Sequence, residues 1–138
     1  MSDSDAETLS IVVEREISHP PEKIWRALTE PHFLEEWFMK MQDDFEPAPG
    51  HRFRVTADWG VVHCQVRAAE PNRRLTYSWD TKDLVSTVTW TLTPTEKGTL
   101  LRMEQTGFRA DQQPYYRGAT AAWPRLLAAL EEALERMA

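Results

Sequence analysis

Hydrophobic and polar residues alternate with a period of two through most of this chain and with a period near 3.6 at its end. Leu9 to Ile17 (LSIVVEREI) puts Ile11, Val13 and Ile17 on one face and Ser10, Glu14 and Glu16 on the other, the pattern of a strand with one wet side. Val12 and Arg15 break that alternation. His19-Pro20-Pro21-Glu22 ends the strand and starts a helix, because Pro21 suits a first helical turn and Glu22 its positive dipole end. Ile24, Trp25, Ala27 and Leu28 form the apolar stripe of that helix. Glu30-Pro31 repeats the start signal for a second short helix carrying Phe33, Leu34, Trp37 and Phe38.

After a turn-rich connector, Phe45 to Gly50 (FEPAPG), the period returns to two. Strands are predicted at His51–Ala57, Gly60–Glu70, Arg73–Asp80, Leu84–Thr93 and Gly98–Gly107. Their short connections favour hairpins and an antiparallel meander. From Pro114 to Ala138 the spacing becomes helical, with Tyr116, Thr120, Trp123, Leu127, Leu130 and Leu134 along one stripe. Pro124 removes a backbone donor within that stretch and predicts a kink or a late helix start. The resulting class is α+β: a curved, six-stranded antiparallel sheet with one dry face, two short helices after the first strand and one long C-terminal helix over the dry face.

Composition sharpens this picture at one point. Six tryptophans (Trp25, Trp37, Trp59, Trp79, Trp90 and Trp123) are many for 138 residues, and each buried indole N–H needs an acceptor. Side chains this large hold a helix away from a curved sheet, so an apolar pocket between them is expected. The net charge of -6 argues against nucleic acid or an anionic membrane as partner. The single cysteine, Cys64, cannot form an internal disulfide. No apolar run approaches membrane-span length and the N-terminus lacks signal-peptide features, so the expected location is cytoplasmic. Residues 1–8 read as a polar tail and 9–138 as one domain.

Candidate chemistry follows from the faces. Trp79, Trp90, Met103 and Trp123 fall on the sheet–helix interior, where they fill a core or line an aromatic pocket. Tyr116 and Leu127 extend the same helix stripe. Trp37, Phe38, Met39 and Met41 enter the connector and suit a pocket rim, a homodimer contact or a packed loop. Together with the bend at Pro124 they mark where the pocket would open. Arg15 and Gln105 are polar residues on dry faces, either satisfied structurally or holding the polar end of a ligand. His63 has the opposite parity to Val62, Cys64 and Val66, so it is solvent-facing unless the register is reversed, in which case it becomes a general acid/base candidate. His19, His32 and His51 sit at element ends. No His, Cys or carboxylate spacing fits a metal, no nucleotide fingerprint or nucleophile motif is present, and no cofactor or catalytic residue is assigned.

Three phrases, REISHPPEKIWRALTEPHFLEEWF (Arg15 to Phe38), AEPNRRLTYSW (Ala69 to Trp79) and STVTWTLTPTEKGTLLRMEQTGF (Ser86 to Phe108), closely resemble the START-like (SRPBCC) superfamily. Within it the chain is similar to the homologues of the heat-shock ATPase activator, a branch with polyketide-cyclase-like members. The resemblance spans about Leu9 to Leu134 and implies the helix-grip fold. The chain departs from the family pattern at Gly50-His51, where a paired glycine is common, and at Ala122-Trp123, where a glycine often precedes the tryptophan. The resemblance implies a protein that binds a hydrophobic, aromatic or lipid-like small molecule. A cyclase or isomerase working in the same pocket is the alternative, and it would need a titratable group inside. A co-chaperone-like interaction domain is the third reading, disfavoured because those members carry an additional domain.

Overall fold

The computed structural model describes residues 8–57 and 60–137; Trp59 and all of the predicted tail except Thr8 lie outside the described residues. Thr8 itself opens the first strand rather than closing a tail. The elements are β1 (Thr8–Ile17), α1 (Pro21–Thr29), α2 (Pro31–Trp37), β2 (Lys40–Met41), β3 (Arg52–Ala57), β4 (Gly60–Glu70), β5 (Arg74–Asp80), β6 (Val85–Pro94), β7 (Thr99–Arg109) and α3 (Gln113–Arg136). The sheet therefore has seven strands, not six, in the order β1-β7-β6-β5-β4-β3-β2, with every pair antiparallel. The additional strand is β2. Its two residues pair with Thr56 and Val55, and so short a segment shows no alternation of its own.

α1 and α2 each begin with a proline in the first turn, and Glu22 and Arg26 complement the dipole of α1 at opposite ends. The alternation along the strands becomes the two sides of the sheet. Ile11, Val13, Arg15, Phe53, Val62, Cys64, Tyr77, Trp79, Trp90, Met103 and Gln105 share the side facing α3, as their register partners require. His63 points the other way and is exposed, so the unreversed register holds.

α3 runs unbroken from Gln113 to Arg136 with Pro124 inside it, so the helix does not start late. Trp123, Leu127, Leu130, Ala133 and Leu134 are its buried stripe. The hydrophobic core gathers this stripe, the inner side of the sheet, and Ile24, Leu28, Leu34 and Trp37 from α1 and α2.

Candidate ligand-binding site

α3 does not lie equally close to the sheet along its whole length. Its C-terminal half presents Leu127, Leu130 and Leu134, all fully buried. Its N-terminal half presents Gly118, Ala119 and Ala122, and these short side chains leave a cleft of about 680 Å³ against β5 and β7. A Cβ placed on Gly118 would meet no atom within 4 Å. Trp79, Gln105 and Phe108 form the sheet wall, and Trp123 and Leu126 stand on the helix beside the alanines. Gly107, at φ 111, turns the end of β7 so that its Cα packs against the Val85 carbonyl, where a Cβ would come within 2.7 Å; Phe108 follows directly and is fully buried. The mouth lies between the β5–β6 loop (Thr81 to Leu84) and the first turns of α3, with Met39, Gly60 and Val61 on its far side.

Three indoles behind and within this wall have their N–H groups engaged. Trp37 Nε1 donates to the Ala27 carbonyl at 2.9 Å, Trp90 Nε1 to the Tyr77 hydroxyl at 2.9 Å, and Trp123 Nε1 to Gln105 Oε1 at 2.7 Å. Trp123 sits edge-on to Trp90 (5.7 Å between centroids) and is stacked with Phe38 (6.0 Å), and Phe38 also packs on Trp79 (5.4 Å). Gln105 is only 1% exposed, and its amide Nε2 donates to Ser86 Oγ at 3.1 Å.

The candidate residues separate into three groups. Trp79, Gln105 and Trp123 line the cleft. Trp37, Phe38, Trp90, Met103 and Leu127 form the packed layer around it without lining it; Trp90, Met103 and Leu127 are fully buried. Arg15, Met41 and Tyr116 are engaged elsewhere. Arg15 does face α3, but β1 is an edge strand, so its guanidinium reaches out to Glu131 (2.8 Å) and the Pro124 carbonyl (3.4 Å). Met41 belongs to β2, and the Tyr116 hydroxyl donates to the Ser10 carbonyl of β1. Of the segment Trp37 to Met41, Met39 lines the cleft, and Pro124 does not. Sequence reasoning missed Gly118, Ala119 and Ala122. Their signal was present as a run of small residues on a helix otherwise rich in leucine. Of the two departures from the family pattern, Ala122 borders the cleft whereas Gly50 lies in the connector, where its N–H donates to the Val66 carbonyl.

Among the described residues, the charged groups that line the cleft stand at its rim. Lys82 and Asp83 are exposed there, and the Tyr115 hydroxyl donates to Asp83 Oδ2 at 3.0 Å, which raises the Tyr115 pKa. Gln112 Nε2 also donates to the Asp83 carbonyl, tying the β5–β6 loop to the start of α3. A second, polar cleft of about 500 Å³ lies on the opposite side of the sheet beside Arg52, His63 and Arg67; there Arg54 pairs with both carboxylate oxygens of Asp43 and holds that carboxyl below its usual range. Among the described residues no group of three or more His, Cys, Asp or Glu could hold a metal ion, and no helix is long and apolar enough to cross a membrane.

Two buried acids sit in the core nearby. Desolvation, with the Asp80 charge adding to it, pushes the Cys64 thiol up from its ordinary value of 9.0. Burial raises the Tyr77 phenol above its ordinary value of 10.0, partly offset by the hydrogen bond from Trp90. Both groups ionise in the unfolded chain first, so the unfolded state holds fewer protons and folding stability falls as pH rises. Urea denaturation is therefore expected to give a constant midpoint up to about pH 8 and a falling one from about pH 9 upward. Tyr77→Phe should flatten the portion above about pH 10; an unchanged slope there would remove Tyr77 from the account.

Residues 18–135 match the family model described as "Activator of Hsp90 ATPase homolog 1-like protein". The chain belongs to this family. Among solved structures, a protein of Mesorhizobium loti is 55% identical, with 94% of this chain and 99% of that one covered and a TM-score of 0.89. CalU16 of Micromonospora echinospora is 25% identical over 91% of this chain and 75% of its own, with a TM-score of 0.78. The Aha1 dimer of Colwellia psychrerythraea shares the fold at 20% identity, with 92% and 96% covered and a TM-score of 0.82. No protein of curated function matches the chain in sequence. The helix-grip architecture of the activator-homologue family is thus the setting of the cleft.

Proposed function

We propose that this member of the activator-homologue family is a small-molecule-binding protein that holds a flat, hydrophobic ligand in the cleft between α3 and the sheet. One observation carries the reading: a cavity of about 680 Å³ walled by Trp79, Phe108, Trp123 and Leu126 and kept open by Gly118, Ala119 and Ala122. That volume lies within the range of small-molecule pockets. Burying the two faces of a fused-ring ligand there removes apolar area from water at roughly 25 cal/mol per Å². Among the described residues the charged lining groups stand at the rim, which favours binding over proton-transfer catalysis. A cyclase or isomerase needs an acid or base beside the reacting atoms, and the lining groups that titrate (Lys82, Asp83 and Tyr115) stand at the mouth.

The test is titration of the protein with naphthalene-sized and decanoyl-sized probes while following tryptophan fluorescence and thermal unfolding. Saturable one-to-one quenching with a rise in Tm is expected, because a ligand bound only to the folded state stabilises it. Unsaturable quenching together with an unmoved Tm across both probe classes would overturn the reading.

A further inference from the structure

Among the described residues, the sheet wall of the cleft carries a chain of hydrogen bonds that can be followed proton by proton. An indole N–H is a donor and never an acceptor, so the atom of Gln105 that faces Trp123 Nε1 at 2.7 Å must be its carbonyl oxygen. That settles the amide orientation and turns the Gln105 nitrogen toward Ser86 Oγ at 3.1 Å. Ser86 in turn donates its hydroxyl proton to the Trp79 carbonyl at 2.6 Å. The indole proton, the hydroxyl proton and one amide proton are thereby used. The second amide proton of Gln105 has no acceptor among the described residues, although the side chain is 1% exposed and lines the cleft.

Trp79 supplies a second donor. Its Nε1–H has no acceptor among the described residues. Trp79 is 5% exposed and lines the cleft. The polar part of the interior therefore offers donors without a cation, since Lys82 is out at the rim.

We propose that the ligand carries a neutral carbonyl-type oxygen (ketone, ester or quinone) that sits at the sheet wall and accepts a hydrogen bond from Gln105 Nε2, with Trp79 Nε1 as a second donor. A carbonyl oxygen has two lone pairs and can take both. A carboxylate or an ammonium would be stripped of water with no opposite charge from the described residues beside it. A pure hydrocarbon would leave the amide proton buried and unpaired, a loss that discriminates strongly between otherwise similar ligands. The inference rests on the ligand-binding reading above and specifies the chemistry of the ligand.

The test uses 2-acetylnaphthalene and 2-ethylnaphthalene, which share a ring system and nearly a shape but differ in the carbonyl. Their affinities are measured for the wild-type protein and for Gln105→Met, whose thioether remains a weak acceptor for Trp123. The ketone-to-hydrocarbon affinity ratio is expected to be about 5- to 10-fold larger in the wild type than in the variant, the fold-change of one net hydrogen bond. Comparing ratios removes the difference in water solubility between the two probes. An unchanged ratio would overturn the proposal while leaving the binding reading intact. If neither probe binds the wild type, the binding reading fails, and the proposal with it. Should the variant not fold, the infrared carbonyl stretch of wild-type-bound 2-acetylnaphthalene decides. A shift below its position in alkane supports the hydrogen bond, and an alkane-like position overturns it.

Discussion

Trp90→Ala is expected to cost about 4 kcal/mol of stability and to lower Tm by on the order of 10–15 °C. Trp90 is fully buried in β6, edge-on to Trp37 at 5.9 Å and to Trp123 at 5.7 Å, and its N–H is bonded to the Tyr77 hydroxyl. Truncation removes the largest fully buried side chain at the point where α2, α3 and the sheet converge. It also leaves the Tyr77 hydroxyl, buried in the same layer, without its donor. Such a loss is a large share of the roughly 5–15 kcal/mol that stabilises a domain. Trp90→Phe keeps most of the volume and loses the N–H, so a cost of roughly 2 kcal/mol is expected. Urea denaturation of both variants checks this, and a Trp90→Ala protein within about 1 kcal/mol of wild type would show that the aromatic layer is not what holds the helix to the sheet.

Ala122→Trp is expected to abolish binding of naphthalene-sized ligands, weakening affinity by more than about tenfold, while leaving stability nearly unchanged. Ala122 is exposed to the cleft on the α3 wall, next to Trp123 and one turn from Gly118. An indole there extends into the space opposite Trp79 and Phe108, which a ligand would occupy. Because it enters open volume rather than a packed core, it should not cause the overpacking that usually accompanies small-to-large changes. The fluorescence titration reads the loss and thermal unfolding reads the fold. Full affinity in a folded Ala122→Trp protein would move the binding site away from this cleft. The two variants thus probe opposite sides of one wall: one removes the aromatic layer behind the cavity, the other fills the cavity in front of it.

Much of the architecture was legible because it is local. Alternation along Leu84–Thr93 and Gly98–Gly107 placed Val88, Trp90, Leu101 and Met103 on the covered side, where all four are fully buried. A one-residue slip would expose the whole set, so burial and register specify each other. The same parity put His63 outside and Cys64 inside. Prolines 21 and 31 marked the starts of the two short helices, since the first turn has no use for their missing N–H. Pro124 was less informative. In a long helix held by Trp123, Leu127 and Leu130 against the sheet, packing maintains the helical path across a position that propensity alone would break.

The sequence by itself determined the element types, the sidedness of the strands and the residues available to a dry interior, because each depends on a repeat of two or 3.6 residues read within one segment. Tertiary structure alone decided the seventh strand and the cleft. Lys40–Met41 is a strand only because Thr56 and Val55 lie beside it. Gln105 and Trp79 line the cleft that Gly118, Ala119 and Ala122 border, while Trp90 and Met103 on the same side are sealed, Trp90 edge-on to Trp37 and Trp123. A cavity is a difference in how far two separately encoded surfaces approach each other, and no period within either surface contains that distance.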